Sequence, residues 1–217
     1  MAEEIPLFPL NTVLFPGMPL PLHIFEQRYR EMIGMCSEQN RPFGVVLIKE
    51  GLEVGEPAVP FDVGTLAKII GVDRMQDGRM NIVTVGTRRF RIQSYSAQKR
   101  SYMVGEVEVL EDAQSDATPS ESVVSDVGAL VQRYVAMLQA ASEQEITPLQ
   151  LPPTAEELSY LVGAVLRVGN EERQRLLEMD TTVSRLELER ELLRRESRIL
   201  EEHLQRRGGS LGPFSRN

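Results

Sequence analysis

The sequence predicts an α+β protein in which a strand-rich amino-terminal half precedes a helical carboxyl-terminal half. Up to about Glu111, short apolar or alternating runs are separated by glycine, proline and aspartate, a pattern typical of strands and turns. Beyond residue 118, apolar residues recur at helical spacing. The last periodic segment is the longest predicted helix, and a pair of glycines ends it. We therefore expect a β-rich subdomain over 1–111, a helical bundle over 118–207 and a disordered tail over 208–217.

The first predicted strand contains prolines that restrict its pairing. Pro19 and Pro21 lack a backbone N–H donor, and because they alternate, both missing donors lie on the same side of the strand. Leu20, Leu22 and Ile24 alternate with the prolines and predict one core-facing side. This pattern indicates an edge strand, or an extended segment wrapped on a barrel, with one side left unpaired.

A helix and several further strands follow in order. The helix is predicted over Glu26–Met35, with Phe25, Tyr29, Met32 and Ile33 on its buried face at i, i+4, i+7 and i+8. Asp77-Gly78 is a hairpin-turn signal, and Gly86 indicates a bulge or a barrel corner. The predicted strands are Phe43–Glu50, Val63–Arg74, Asn81–Val85, Arg89–Ile92 and Tyr102–Asp112, with a loop over Gly51–Asp62.

The helical half carries clear amino-terminal signals. Thr118–Glu121 and Thr154–Glu157 both have the spacing of a capping box, and Asn170 is the predicted cap of a short helix ending near Met179. The terminal helix, about Thr182–Arg207, has leucines at seven-residue intervals. The other seam positions of that heptad hold glutamates, Glu189 and Glu196, which a coiled coil disfavours. We therefore expect this helix to pack on its own bundle and the protein to be a monomer or weak dimer.

Composition excludes several classes of function. The net charge of −8 and the pI near 5.0 disfavour sequence-independent binding to nucleic acid. The single cysteine, Cys36, excludes an internal disulfide and a multi-thiolate zinc site. No apolar run reaches the roughly 20 residues that span a bilayer, and the acidic, proline-broken start is unlike a secretory signal. We expect a cytoplasmic protein without membrane contact.

Signatures of catalysis are missing from the sequence pattern. None of the lysines follows a glycine-rich turn that opens a helix, so no phosphate loop is predicted. His23 and His203 lie far apart and make no metal-binding spacing with the single cysteine. The expectation is a protein that is not an enzyme and has no catalytic residues, metal site or cofactor.

Three segments carry a resemblance to a known family. They are PLFPL with VLFPGMPLPLHIFEQRYREMI near the start, DGRMNIVTVGTRRFRI over Asp77–Ile92, and LSYLVGAVL with RQRLLEMDTTVSRLELERELL in the helical half. Together they resemble the amino-terminal, substrate-selecting domain of Lon proteases over roughly Ile5–Leu204. The resemblance implies a PUA-like β-barrel or pseudo-barrel followed by a helical bundle. It also implies a stand-alone, proteolysis-related protein that binds polypeptide, without the ATPase and peptidase parts.

Two surfaces are candidates for binding a polypeptide. The residues around the Pro16-Gly17 turn are apolar, so they either fold back into the core or stand exposed as a contact patch. The arginines near residue 90 either solvate an outer strand face against Glu106 and Glu108 or grip a partner. The candidate peptide-binding residues are Leu14, Phe15, Met18, Leu20, Arg88 and Arg89.

The expected partners are unfolded or apolar-rich polypeptides. One alternative is an adaptor or competitor that acts on a genuine Lon protease. Another is a small-ligand-binding barrel, or an enzyme of unknown kind, built on the same fold.

Overall fold

The computed structural model describes residues 3–53, 58–97, 100–111, 118–142, 145 and 147–209. The chain divides into two compact units, one formed by Met1–Gln114 with Val168–Asp180 and the other by Ser115–Arg167 with Thr181–Asn217. The sequence pattern placed all of 118–207 in one helical subdomain, whereas the structure groups Val168–Asp180 with the strands. Beyond Gly209, the tail predicted to be disordered lies outside the described residues.

The α+β fold class predicted from the sequence is confirmed. The first unit contains β1 (Glu3–Leu10), β2 (Pro19–Ile24), α1 (Gln27–Glu38), β3 (Phe43–Glu50), β4 (Val59–Pro60), β5 (Val63–Arg74), β6 (Met80–Ser96), β7 (Val104–Val109) and α4 (Asn170–Glu178). The second unit contains α2 (Glu121–Ala141), α3 (Ala155–Val165) and α5 (Thr182–Gly209). Only β4 falls in a segment predicted to be a loop.

The sheet of the first unit closes on itself. β3, β5, β6 and β7 are joined in that order by antiparallel pairs, and β1 completes the ring, pairing antiparallel with β7 and parallel with β3. β2 adds to β6 and β4 adds to β3 outside this ring. Closure removes most open strand edges, which is how barrels avoid unwanted edge pairing.

The pairing of β1 shows how a strand with prolines is accommodated inside a barrel. Residues Glu3–Pro6 pair with β7, and residues Leu7–Leu10 pair with β3, so each half of the strand has one regular neighbour. Pro6 lies where the strand changes partners, at the end of the β7 pairs, whereas Pro9 lies opposite Val46 within the stretch that pairs with β3.

Both faces of β1 are buried, and each belongs to a different apolar cluster. Ile5 and Leu7 pack in the barrel interior with Val46, Leu66 and Phe90. Phe8 and Leu10 point the other way and pack against the buried face of α1, which consists of Tyr29, Met32, Ile33 and Cys36. The alternation of a strand thus divides the core between the barrel and the helix that covers it.

β6 contains the bulge that Gly86 predicted. Ala67 of β5 pairs with Gly86 and Thr65 pairs with Arg89, so β6 has one residue more than β5 over this stretch. A Cβ atom at Gly86 would collide with the backbone carbonyl of Phe15, so only glycine fits this close approach.

α4 is fixed to the strands of the first unit by polar side chains that reach backbone carbonyls. Gln174 Nε2 donates to the Val63 carbonyl at 2.9 Å, and Arg173 Nη2 donates to the Val13 carbonyl at 3.1 Å. At the other end of the helix, Arg89 Nη1 donates to the carbonyls of Leu177 and Met179 at 2.8 and 2.6 Å. Arg89 therefore caps the carboxyl end of α4 with a positive charge, which the helix dipole favours.

The second unit confirms one capping box and corrects the other. Thr154 Oγ1 accepts from the Glu157 N–H at 3.2 Å, and the Glu157 carboxylate accepts from the Thr154 N–H at 3.3 Å. α2, in contrast, is capped by Ser120, whose hydroxyl accepts from the Val123 N–H, and not by Thr118. A cap must immediately precede the helix, and α2 begins one residue after Ser120.

The predicted cap Asn170 is also wrong, because Gly169 occupies that position and Asn170 is the first residue of α4. The Asn170 side chain instead donates to the Asn11 carbonyl at 2.8 Å, within the first unit.

Candidate functional site

The apolar turn that the sequence offered as a contact patch folds back into the core. Leu14 and Phe15 are 1% and 0% exposed, so the interpretation of this turn as an exposed apolar lip is wrong. Backbone hydrogen bonds hold the turn against β6: the Gly17 N–H donates to the Gly86 carbonyl, and the Gly86 N–H donates to the Met18 carbonyl. Leu20 is also buried, on the core side of β2 as the alternation predicted.

The two candidate arginines, which lie at the bulge of β6, differ in their exposure to solvent. Arg88 is exposed, while Arg89 is 2% exposed and bound to the carboxyl end of α4. Arg89 therefore does not solvate an outer strand face, because it is buried and its Nη1 donates to backbone carbonyls inside the first unit. Of the six candidate residues, the structure leaves Arg88 exposed and Met18 partly exposed, and their role in binding stays a prediction.

β2 is an edge strand whose free side is poor in donors. The Met18 carbonyl accepts from Gly86 of β6, so by alternation the backbone groups of Leu20 and Leu22 face β6. Those of Pro19 and Pro21 face away, and prolines have no N–H. A polypeptide that adds itself as a further strand would find carbonyls here with few donors, so strand addition is disfavoured.

The first unit has a different depression, with apolar and charged lining residues, beside the amino-terminal end of α1. Two recesses lie there, of about 410 Å³ and about 530 Å³ including the open space at their mouths, and both are lined by Tyr29 and Glu53. We call the surface formed by the two recesses the Tyr29 groove. Its other lining residues include Pro9, Leu52 and Met103 on one side and Phe8, Leu22 and Phe25 on the other.

The floor of the Tyr29 groove is packed and rigid. The rings of Phe8 and Tyr29 stack with centroids 4.0 Å apart, and Phe43 lies 6.1 Å from Phe8. All three belong to the core cluster beneath the groove. A preformed apolar floor binds a ligand without the entropy cost of ordering loose side chains.

Two large apolar side chains stand at the rim of the groove in contact with water. Phe25 is 51% exposed and Leu52 is 75% exposed. The sequence analysis placed Phe25 on the buried face of the helix, which is wrong, because α1 begins at Gln27 and Phe25 precedes even its capping residue, Glu26. Outside the helix, Phe25 no longer follows the helical period and is free to lie at the groove.

Charged groups surround Tyr29. The Arg28 guanidinium lies 4.6 Å from the centre of the Tyr29 ring and forms an ion pair of 2.9 Å with Glu26. Burial raises the pKa of Tyr29 to about 12; Arg28 opposes this rise, and the carboxylates of Glu26 and Glu53 add to it. The phenol is therefore uncharged at neutral pH. Within the described part of the chain, no cation pairs with Glu53.

Metal-ligating and nucleophilic side chains do not gather at the Tyr29 groove in the described part of the chain. Nowhere in the described ranges do three or more His, Cys, Asp or Glu side chains gather as a metal site would require. Cys36 is buried, and burial raises the pKa of its thiol to about 11, which keeps it protonated and unreactive. In the same ranges, no helix combines the length and apolar character needed to cross a bilayer.

Comparisons with known proteins place the chain among characterised domains. The family described as the ATP-dependent protease La (LON) substrate-binding domain matches residues 4–195. Lon protease 2 of Syntrophobacter fumaroxidans is 29% identical over 86% of this chain, and Lon protease of Cytophaga hutchinsonii is 27% identical over 91%. The chain spans about a quarter of the length of these two relatives, 24% and 25%.

Solved structures resemble the chain along most of its length. The Lon N-terminal domain protein from Xanthomonas campestris is 30% identical with a TM-score of 0.64, covering 86% of this chain and 96% of that one. The N-terminal domain of Mycobacterium avium complex Lon protease, at 20% identity and a TM-score of 0.61, covers 88% of this chain and 98% of that one and supports the fold alone.

Proposed function

Because the chain belongs to the family of LON substrate-binding domains, we propose that it is a non-catalytic module that binds unfolded, apolar-rich polypeptides. The observation that carries this proposal is the match over residues 4–195, which includes the strands, α1 and the Tyr29 groove. The description of the matched family names substrate binding. For a domain of a protease, the substrate that this description implies is a client polypeptide.

The Tyr29 groove supports this proposal on physical grounds. A shallow apolar surface with water-exposed Phe25 and Leu52 at its rim gains free energy by burying apolar client side chains. The donor-poor edge of β2 adds little backbone pairing, so binding relies on side chains. We expect weak affinity, micromolar or weaker, because an unfolded client loses conformational entropy when it is ordered.

Fluorescence anisotropy measures this binding directly. The labelled probe is reduced, carbamidomethylated lysozyme, which is unfolded, and labelled native lysozyme is the folded control with the same sequence. We expect saturable binding of the unfolded probe only. If neither form binds, and other unfolded clients also fail, polypeptide binding by this chain is excluded.

A second candidate function is that of an adaptor or competitor of a Lon protease. Fluorescence anisotropy distinguishes it from client binding when a purified Lon protease is the titrant and the labelled chain is the probe. Binding to the protease in the absence of any client supports the adaptor, whereas binding only to unfolded clients supports the client-binding module.

A further inference from the structure

We propose that the Tyr29 groove selects client segments in which apolar side chains are accompanied by a lysine or arginine. This inference rests on the proposed function and names the chemistry of the segment that the groove accepts. It is carried by three features of the groove: its apolar floor, its exposed rim and its unpaired carboxylate.

The apolar part of the segment is defined by the floor and the rim. Phe8 and Tyr29 form a stacked floor, and Phe25 and Leu52 rise from it into water. Tyr29 lines both recesses, so the two lie next to each other on one surface. An extended segment has every second side chain on the same face, so the side chains of residues i and i+2 enter the two recesses.

The cationic part of the segment is defined by Glu53. Of the three charged groups around Tyr29, Arg28 and Glu26 neutralise each other in an ion pair of 2.9 Å. Glu53 has no cation paired with it in the described ranges, yet it lines both recesses. Glu53 therefore adds a negative charge, with no cation paired to it in the described ranges, to two recesses of mixed apolar and polar lining.

Charge complementarity then discriminates among apolar clients. A lysine or arginine next to the bound apolar residues pairs with Glu53, while an aspartate or glutamate at that point is repelled by it. Glu53 is itself exposed, so solvent and salt screen this interaction and its contribution to affinity is modest. The stem of a long basic side chain also covers apolar surface along the way to the carboxylate.

The test uses two labelled peptides of 12 residues with identical leucine and phenylalanine positions, one carrying two arginines and the other two glutamates at matched places. We expect the arginine peptide to bind the full chain about two to five times more tightly than the glutamate peptide, as expected for one solvent-exposed ion pair. The difference should shrink as salt increases. Glu53→Lys should reverse the preference, and Glu53→Gln should abolish it.

The apolar rim is tested with Phe25→Ser and Leu52→Ser, both at exposed positions where the fold has little to lose. Each should weaken binding of both peptides about fivefold, because the variant no longer buries an apolar side chain against the bound segment. The matched control is Ile70→Ser with Val83→Ser, which removes apolar side chains that are 60% and 41% exposed on β5 and β6. This control should bind as the wild type does, and circular dichroism melts should show all the variants folded.

The outcomes separate the selection rule from the proposed function. Equal affinity for the two peptides, or no effect of Glu53→Lys, overturns the selection for a basic residue. If the Phe25 and Leu52 variants lose no more affinity than the control on β5 and β6, the peptides do not bind at the Tyr29 groove. In both cases unfolded lysozyme would still bind, whereas loss of that binding in the wild type overturns the proposed function itself.

Discussion

At the scale of single residues, the sequence analysis failed where charged side chains are buried. Arg89 in the first unit and Arg185 and Glu189 in the second are almost fully shielded from water. Patterns along a sequence assign charged residues to the surface, because burying a charge is costly unless distant groups compensate it. Those compensating groups come from other segments: Arg89 is bound by the end of α4, and Arg185 Nε donates to Ser159 of α3 at 2.7 Å. No local signal indicates such partners.

Glu189 differs from these arginines in that its carboxyl oxygens are buried and have no hydrogen-bond partner in the described structure. Burial raises the pKa of Glu189 well above its ordinary value, and the nearby Arg185 opposes the rise. The folded state therefore holds this proton more tightly than the unfolded state does. Its contribution to stability is complete below the ordinary glutamate pKa and declines as the pH rises toward the raised folded pKa.

We predict that Glu189→Gln raises the unfolding temperature at pH 8 and leaves it nearly unchanged at pH 4. At pH 8 the wild type must either bind a proton or bury a negative charge in order to fold, and glutamine removes that cost. Each kcal/mol gained corresponds to about 2–4 °C for a chain of this size. Melts followed by circular dichroism at several pH values give the measurement.

The control for this prediction is Glu187→Gln, since Glu187 lies two positions earlier on the same helix and is exposed. Its melting temperature should follow the wild type across the pH range. A Glu189→Gln protein with the same pH profile as the wild type would show that the carboxyl is ionised in the fold.

At the scale of elements, the sequence predicted the regular segments well. The bounds of β3 and β5 agree with the expected strands residue for residue, because turn or loop signals flank each of them, and Gly71 inside β5 marks a register shift rather than an end. The buried face of α1 was predicted from Tyr29 onward. The peptide-binding candidates were harder to predict, because whether an apolar turn folds inward depends on contacts such as that of Phe15 with Gly86. The Tyr29 groove combines at least four separate segments, and no single pattern shows it.

Two segments have the spacing of a capping box, but only Thr154–Glu157 forms one. This difference gives a prediction at the scale of elements. We expect Thr154→Ala to destabilise the second unit by about 1 kcal/mol, since the Glu157 N–H loses the Thr154 hydroxyl as its acceptor. Thr118→Ala should change stability by only a few tenths of that amount, because Ser120 caps α2. Urea denaturation followed by helical circular dichroism compares the two variants, and equal losses would contradict the assigned caps.

At the scale of the whole molecule, the chain passes between the two units three times. It leaves the first unit after Gln114, returns at Val168 and leaves again after Asp180. The first unit is therefore discontinuous in sequence, and α4 is the separate piece. A division of the chain into a β half and a helical half, which is what composition indicates, does not show this return.

The discontinuity predicts how fragments behave. A fragment of residues 1–114 lacks α4, so Arg89 loses two carbonyl acceptors and the Val63 carbonyl loses its donor. Each buried polar group left unpaired costs about 1–3 kcal/mol. We expect hydrogen exchange of the β6 amides to be much faster in this fragment than in the full chain.

A synthetic peptide of residues 168–180 should slow that exchange in a saturable manner. The same peptide with Arg173→Ala and Gln174→Ala, which lacks two of the anchoring side chains, is the matched control and should restore little protection. Full protection of the β6 amides in the fragment alone would contradict a role of α4 in completing the first unit.

The late position of α4 in the chain also sets an order on events during synthesis. Residues 115–167 all belong to the second unit and are polymerised before α4 exists. At about 5–20 residues per second, the strands of the first unit wait about 3 to 10 seconds for it. During that wait, Arg89 and the surface that later receives Leu176 and Leu177 are open to water or to whatever holds the nascent chain. The ribosome thus releases the last piece of the first unit only after more than half of the helical unit has been made.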